Sequence, residues 1–358
     1  MAKTAADTSY YAPAFEIEMN GKKLEAEVSK IISSITIDQE INKTNNFRFV
    51  VQDEFMEGEF RWLGHKLFKF GNNASVKLGY VGNMHQMAVG QIQNISANFF
   101  AGVAPTFTVE GVDNAYKFLM EKSEPDTFRD KKDSEIVKEI AERAHLKPVI
   151  DDTVQVSPIK RKKGGESYFR FIRNLASGND DFEFSLAGRS LFFVQAKKDK
   201  EAILSLEWGR ELISFRPALN TSQAVTEVVV RNWDRQGKRT IEARVRAGEE
   251  RKQERERQSS SQIAREIYGD VVRVITERPV RSVDEARQVA LAELERASDN
   301  FIKGSGETIG IPEIRPGVCI ELEGLGAWFK GKYYVEKVTH KINSSGYRTT
   351  FEVRRNTL

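Results

Sequence analysis

The sequence predicts a mainly β fold with an α+β insertion: two similar β-barrel domains with a small helix–hairpin domain between them. Three observations carry the prediction. From Phe15 to Gly111 apolar and polar residues alternate between turn signals, with no long helical period, the pattern of many short, half-buried strands. Past Met120 the period lengthens to that of amphipathic helices. From Val318 to Arg354 the alternation returns.

The elements follow in order. Phe15, Ile17 and Met19 alternate up to Asn20-Gly21, and Leu24, Ala26 and Val28 alternate beyond it. Asn-Gly tolerates the positive φ of a tight turn, so this reads as a hairpin. Ser33–Ile37, Phe47–Gln52, Ser75–Tyr80, Met87–Ser96 and Thr106–Gly111 read as further strands, with Val81-Gly82-Asn83 as a turn. Asp133-Ser134 caps a helix with Ile136, Val137, Ile140, Ala141 and Ala144 on one face, and Lys147-Pro148 stops it. A second helix runs from Glu166, placing Tyr168, Phe171, Ile172 and Leu175 on one face, and ends at Ser177-Gly178. Phe182, Phe184 and Leu186 then pair with Leu191–Val194 across Ala187-Gly188-Arg189. Strands resume at Ile203–Leu206, Ala224–Asn232 and Val271–Ile275. Arg246–Gln258 is almost entirely charged with no apolar face, which predicts a solvated loop or exposed helix rather than core. Ser282 and Glu285 form a capping box for a helix carrying Ala286, Val289, Ala290, Leu294 and Ala297 inward. Val318–Leu322, Tyr333–Val338 and Arg348–Arg354 close the chain as strands.

The resulting divisions are an N-terminal tail at 1–12, a first β-barrel at 13–118, the inserted domain at 119–199 and a second β-barrel at 200–358. The last carries the charged insertion 246–267 and the helix 282–300. Ser75–Asp113 and Val318–Arg355 share an order of strand, turn, long strand, turn, strand, ending FTVEGVD and TFEVRR. That weak internal repeat points to duplication.

Composition narrows function. Lys+Arg is 55 against Asp+Glu 52, a net charge of +3, without the basic excess of a dedicated nucleic-acid binder. Cys319 is the single cysteine and cannot form an internal disulfide. No run approaches the roughly 18 apolar residues of a membrane span, and Met1–Tyr11 lacks the apolar stretch of a secretory signal. These features predict a soluble protein, cytoplasmic at synthesis.

Chemistry-bearing patterns are weak. His65, His85, His145 and His340 lie far apart with no metal-type pair, and Cys319 sits in an alternating strand where a thiol is inert. Gly326–Gly331-Lys332 has the spacing of a phosphate loop, but Tyr333 replaces the required Ser or Thr and a strand follows where a helix is needed. Lys160-Arg161-Lys162-Lys163 is the densest basic run; as a loop it reads as solvated, with phosphate contact the alternative. Asp151-Asp152 and Asp180-Asp181 fall at turns. No catalytic residue, cofactor site or metal site is predicted, and the chain is not read as an enzyme.

The C-terminal stretch is more specific. It contains Phe301–Gly304, then Thr308–Gly317, Gly331-Lys332-Tyr333-Tyr334-Val335, His340, and Gly346-Tyr347 followed by Thr349. This run resembles phage late control protein D, the contractile-tail baseplate hub family, which includes the N-terminal part of type VI secretion spike proteins. The resemblance in chain order extends over about Pro13 to Arg355. The residues carrying it are Gly310, Pro312, Arg315, Pro316, Gly317, Gly331, Tyr333, Tyr334, His340, Gly346 and Tyr347, all read as structural. Pro312 and Pro316 fix φ, and Gly310 and Gly317 permit tight turns, so Ile314-Arg315 is held extended. Tyr333 and Tyr334 face opposite sides of a strand, one packing inward and the other free to donate its hydroxyl at a subunit contact.

The resemblance implies a structural baseplate hub: a homotrimer whose paired barrels form a pseudo-sixfold ring, adapting a hexameric tail tube to a trimeric spike. Larger hub–spike fusions continue past the second barrel, and this sequence stops at Leu358, so the expected spike is a separate polypeptide. The charged segment at Arg246–Gln258 is expected to project toward surrounding baseplate proteins. No membrane and no specific nucleic acid are implied, and the chain would end in an assembled tail or injection particle. Two rival readings are a nucleic-acid-binding module using Lys160–Lys163 and a tail-associated cell-wall hydrolase using Asp180 and Asp181.

Overall fold

The computed structural model describes residues 3–4, 12–113, 116–154, 156–179, 181–187, 189–234, 237–278 and 280–358. Strand outweighs helix, 49% to 18%, which places the chain in the mainly β class the sequence predicts.

The first β-rich part holds β1 (Lys3–Thr4), β2 (Pro13–Met19), β3 (Lys22–Lys23), α1 (Ala26–Lys30), β4 (Ile32–Glu40) and β5 (Asn46–Gln52). It continues with β6 (Phe55–Met56), β7 (Glu59–Phe60), β8 (Asn73–Tyr80), β9 (Asn83–Asn98) and β10 (Thr106–Asp113). Asn20 and Gly21 make the expected turn with φ of 51° and 78°. The return strand is only β3, and Leu24 and Val28 are buried on either side of the first turn of α1, while Ala26 is exposed. Leu24 and Val28 are four apart, a spacing that satisfies a strand and a helix face equally, and the intervening Glu-Ala-Glu favours helix. Alternate residues of β2, β4, β5, β8, β9 and β10 converge on one core that includes Ile17, Ile37, Phe49, Val76, Ile92 and Val109.

The inserted part holds α2 (Tyr116–Met120), β11 (Asp126–Lys132), α3 (Asp133–Arg143), β12 (Lys147–Ile150), β13 (Val156–Lys162), α4 (Tyr168–Ala176), β14 (Phe182–Ala187) and β15 (Ser190–Gln195). Ile136, Val137 and Ile140 of α3 meet Phe171, Ile172 and Leu175 of α4 over Phe184, Leu191 and Phe193. Gly188 of the expected turn lies outside the described residues.

The remaining chain holds β16 (Leu204–Glu207), β17 (Leu212–Leu219), β18 (Glu227–Asp234), β19 (Arg239–Arg246), α5 (Ser260–Tyr268), β20 (Val272–Ile275) and α6 (Val283–Ser298). It ends with β21 (Ile302–Ile309), β22 (Cys319–Glu323), α7 (Gly326–Phe329), β23 (Gly331–Asn343) and β24 (Gly346–Arg355). Here the division differs from expectation. β18, β19 and β20 form their own three-stranded sheet. Ala286, Val289, Ala290 and Leu294 of α6 pack on it through a core separate from that of β21–β24. Alternation alone cannot distinguish strands of an inserted sheet from strands of the main one.

The main sheet repeats its topology. β4-β5-β10-β9-β8 and β17-β21-β24-β23-β22 have the same strand order, every neighbouring pair antiparallel. Two of the first copy's three irregularities repeat too; the third, at Met87 in β9 against β8, does not. Ser33 bulges in β4 against β5, as Ile213 does in β17 against β21. Gln93 bulges in β9 against β10, as Glu336 does in β23 against β24. Matching bulges align Thr108-Val109-Glu110 with Thr350-Phe351-Glu352. An extra residue at the same place in two ladders is a specific feature, and it identifies two copies of one unit. The second β-sheet insert lies between strands β17 and β21 of the second copy.

Neither copy closes as a barrel among the described residues. The edge of β4 that would seal the first copy is occupied by the Lys337–Ile342 half of β23, fusing both copies into one 14-stranded sheet. Ile342 and Tyr347 of the second copy thereby enter the first copy's core.

Candidate functional site

Two buried clusters lie where the parts meet. The first gathers most of the family-resembling residues. Tyr347 follows the tight turn at Gly346, φ 103°, and its ring covers Gly310: a Cβ there would lie 1.9 Å from Tyr347 Cγ, so only glycine fits. The Tyr80 hydroxyl donates to Gly310 O at 2.9 Å, and its ring packs on Tyr347 at 5.9 Å. His340 is fully buried; Nδ1 lies 2.9 Å from the Tyr347 hydroxyl and 3.0 Å from Thr349 Oγ1, and Nε2 is 3.1 Å from Ile314 O. Burial drives its pKa down to about 3, so the ring is neutral and ties Ile314 to β23 and β24. Pro312 is buried and its carbonyl accepts from Arg315 Nε at 3.5 Å. Gly317 turns with φ 89° and its N–H donates to Val335 O. Arg315 is exposed, and with Pro316 it lines a cleft of about 680 Å³ shared with Gln39, Arg189 and Phe192.

Gly331 serves another contact. Arg355, fully buried, donates to the carbonyls of Thr357, Lys330 and Trp328 and stacks over Tyr333 at 4.8 Å. A Cβ on Gly331 would sit 2.8 Å from Arg355 Nη1. The two tyrosines do face opposite ways, but neither hydroxyl is left for a subunit contact. Tyr333 donates to Phe329 O at 2.7 Å, and Tyr334 donates to the Glu183 carboxylate. Tyr334 meets the inserted domain through Glu183 of β14, which also pairs with Arg354 of β24.

The second cluster is ionic and was not legible in sequence. Lys198, fully buried, contacts Asp181 at 3.0 Å, Asp299 at 3.1 Å and Glu295. Arg354 reaches Glu183 at 2.7 Å, Glu336 at 2.8 Å and Asp299 at 3.4 Å, and Arg251 pairs with Asp181 at 2.6 Å. Three cations thus face five carboxylates drawn from the inserted domain, α6 and its C-cap Asp299, and β23. Burial pushes Glu183 and Glu295 up to about 7. Asp299 moves the other way: burial opposes its ionisation, but Arg354 and Lys198 outweigh it and hold its carboxyl below the usual range.

Several expectations are corrected here. Lys160–Lys162 lie in strand β13 rather than a loop, and Lys162 is fully buried, donating to the carbonyls of Glu124, Glu166, Ser123 and Lys163. A cation surrounded by main-chain acceptors is not presented to phosphate. Asp181 is held in the ionic cluster, and Asp180 lies outside the described residues. The charged segment does not simply project. Glu250 and Gln253 are buried; Glu250 accepts from Ser261 and Ser298, and Gln253 exchanges hydrogen bonds with Asn356. A charged run can fold inward when it supplies partners for main-chain groups. Among the described residues no group of His, Cys, Asp and Glu is arranged to hold a metal ion, and no helix is long and apolar enough to cross a membrane.

The comparisons agree with this architecture. Over 96% of this chain and 98% of the other, the fold superposes on the crystal structure of prophage MuSo2, the 43 kDa tail protein from Shewanella oneidensis, with a TM-score of 0.71 and 16% identity. The tail protein from Neisseria meningitidis MC58 gives 0.71 at 10% identity, over 96% and 97% of the two chains. The E. coli c3393 protein, described as a type VI secretion component with similarity to T4 tail proteins gp27 and gp5, gives 0.57 at 11% identity, over 95% and 77%. No curated protein matches the sequence. A family model described as the Alg8 N-terminal domain matches residues 10–344. The chain therefore has the phage tail and baseplate hub-like fold, and by sequence it belongs to the family described as the Alg8 N-terminal domain.

Proposed function

We propose that this protein is a structural baseplate hub of a contractile injection machine: a homotrimer that adapts a sixfold tail tube to a threefold spike. The observation that carries the reading is the duplication, with one strand order and one pair of bulges present twice in each chain. Three chains then present six near-identical units to a sixfold partner, while each insert, present once per chain, offers threefold features to the other side. The tail and secretion proteins sharing the fold support this setting. The motif cluster and the ionic cluster are scaffold on this reading: they fix the angle between the copies and the inserts and do no chemistry. The partners are the tube ring, a spike polypeptide and neighbouring baseplate proteins, and the destination is the assembled particle.

Light scattering on the purified chain tests the reading. Three copies of 40.7 kDa give a mass of about 122 kDa, and this trimer should retain a spike polypeptide encoded beside it. A monomer at every concentration, or a trimer that retains no such spike, refutes the adapter.

A further inference from the structure

The repeat makes the joint between copies readable. Within one chain, β4 of the first copy lies antiparallel on β23 of the second, with Asp38 opposite Thr339 and Gln39 opposite Val338. β23 manages two partners on one edge. Its Gly331–Tyr334 end pairs with β22, its Lys337–Ile342 end pairs with β4, and the Glu336 bulge falls at the hand-over. A bulge there bends and twists the strand, re-aiming the edge for the second partner.

β9 is built the same way but lacks the second partner. Its Asn83–Gln91 end pairs with β8, the Gln93 bulge follows, and Asn94–Asn98 pairs only with β10 among the described residues. Correspondingly Ser214–Leu219 of β17, the equivalent of β4, pairs only with β21 among the described residues. One free edge and one free strand remain, at positions whose equivalents are joined to each other inside the chain.

We infer that copies of this chain associate by repeating that ladder in trans: β17 of one copy lies antiparallel on the Asn94–Asn98 end of β9 in the next. The inference rests on the trimeric hub reading and specifies its interface. The matched bulges set the register. Ile213 corresponds to Ser33 and Gln93 to Glu336, so Ala218 takes the place of Asp38, and Ser96 that of Thr339. Ala218 therefore lies opposite Ser96, and Leu219 opposite Ile95.

An independent observation agrees. The β23–β24 hairpin buries its flanking Ile342 and Tyr347 in the first copy, Tyr347 packing on Tyr80 at the end of β8. The equivalent β9–β10 tip is largely uncovered: Phe99, although its ring packs on Phe60 at 5.2 Å, is 60% exposed, Phe100 70% and Val103 62%. The place equivalent to Tyr80, just past β22, is α7, whose Trp328 is 64% exposed. Apolar tip and apolar receptor are complementary, and the ladder brings them together between copies.

Asp38 and Thr339 touch side chain to side chain, Thr339 Oγ1 donating to Asp38 Oδ1 at 2.6 Å. The Ile41 N–H donates to Glu336 O, so by alternation Asp38 and Thr339 form a non-hydrogen-bonded pair, the closer kind. The equivalent pair is therefore spaced for a disulfide. In the full-length chain, Ser96→Cys with Ala218→Cys should give a covalently closed trimer under mild oxidation; both positions are exposed, and Cys319 is buried. Each single variant, and the pair Ala97→Cys with Ala218→Cys, should give none. A 122 kDa particle (about three chains) that fails to cross-link at 96 and 218 overturns the ladder and leaves the hub reading standing. A chain that stays monomeric and unlinked overturns both. As a second measurement, Phe99→Ser with Phe100→Ser should raise the concentration for half-dissociation at least tenfold, and an unchanged value counts against the joint.

Discussion

Lys198→Met isolates what the ionic cluster contributes. Methionine keeps the length and apolar stem of lysine, so the change removes charge with little change of volume. Lys198 is fully buried among Asp181, Glu295 and Asp299, and removing one partner from a buried ion pair costs about 3–5 kcal/mol because the remaining charges stay uncompensated. The cost should depend on pH, with a definite sign. Burial already raises Glu295 to about 7 in the folded protein, against an ordinary 4.5, with Lys198 opposing the rise. A carboxyl raised on folding binds protons more tightly in the native state, so its contribution to stability declines as pH climbs from 4.5 through 7. Without Lys198 the carboxyl rises further and the decline extends to higher pH, steepening the loss by about 1.4 kcal/mol for each added pH unit. The variant's deficit should thus be smallest near pH 5.5 and largest near pH 8.5, read by urea unfolding of both proteins at each pH. A deficit under about 1 kcal/mol, or one equal at both pH values, refutes the reasoning.

Gly310→Ala forces a methyl into the ring of Tyr347 and should cost about 1–3 kcal/mol or more, seen as a lowered melting temperature without loss of β-sheet signal. His340 has a folded pKa near 3 against 6.5 when unfolded, so its contribution is fully present above 6.5 and is lost as pH falls toward 3. His340→Asn should flatten the acid limb of the stability–pH profile by up to about 1.4 kcal/mol per pH unit, and an unaltered limb contradicts the assignment.

What the sequence made legible follows from the range of the forces involved. Asn20-Gly21 announces its turn because the positive φ is a local property. The ends of the two repeats were readable because strands β10 and β24 keep matching residues on matching faces. Leu24 and Val28 misled because their spacing fits two periods. Lys162 looked solvated because neighbouring cations usually are, and nothing local shows that four carbonyls converge on it. Lys198, Glu295 and Arg354 were invisible for the same reason: Lys198 and Glu295 are 97 residues apart, so their partnership is a property of the folded chain. Phe99-Phe100, adjacent aromatics beside Ala101-Gly102, carried a signal that could have been used, since a pair of large apolar residues at a turn rarely goes uncovered.

Pro217 sharpens the argument about the joint between copies. The Asn220 N–H donates to Phe301 O, just before β21, so by alternation the main-chain nitrogen of residue 217 faces the outer edge of β17. Proline is tolerated there because no ladder within the chain needs its N–H. Its equivalent in β4 is Ile37, opposite His340, whose N–H by the same alternation faces β23. The trans ladder is therefore one donor weaker than the cis ladder it copies. That asymmetry suits assembly: leaving these two edges unpaired in a lone chain invites indiscriminate pairing, and a proline on one of them reduces it, leaving the apolar tip to select the correct partner. Pro217→Ile should restore the donor and gain about 1 kcal/mol at each joint, lowering the trimer's dissociation midpoint in sedimentation about fivefold per interface. An unchanged midpoint in a trimer that still forms would place the joint elsewhere than on β17.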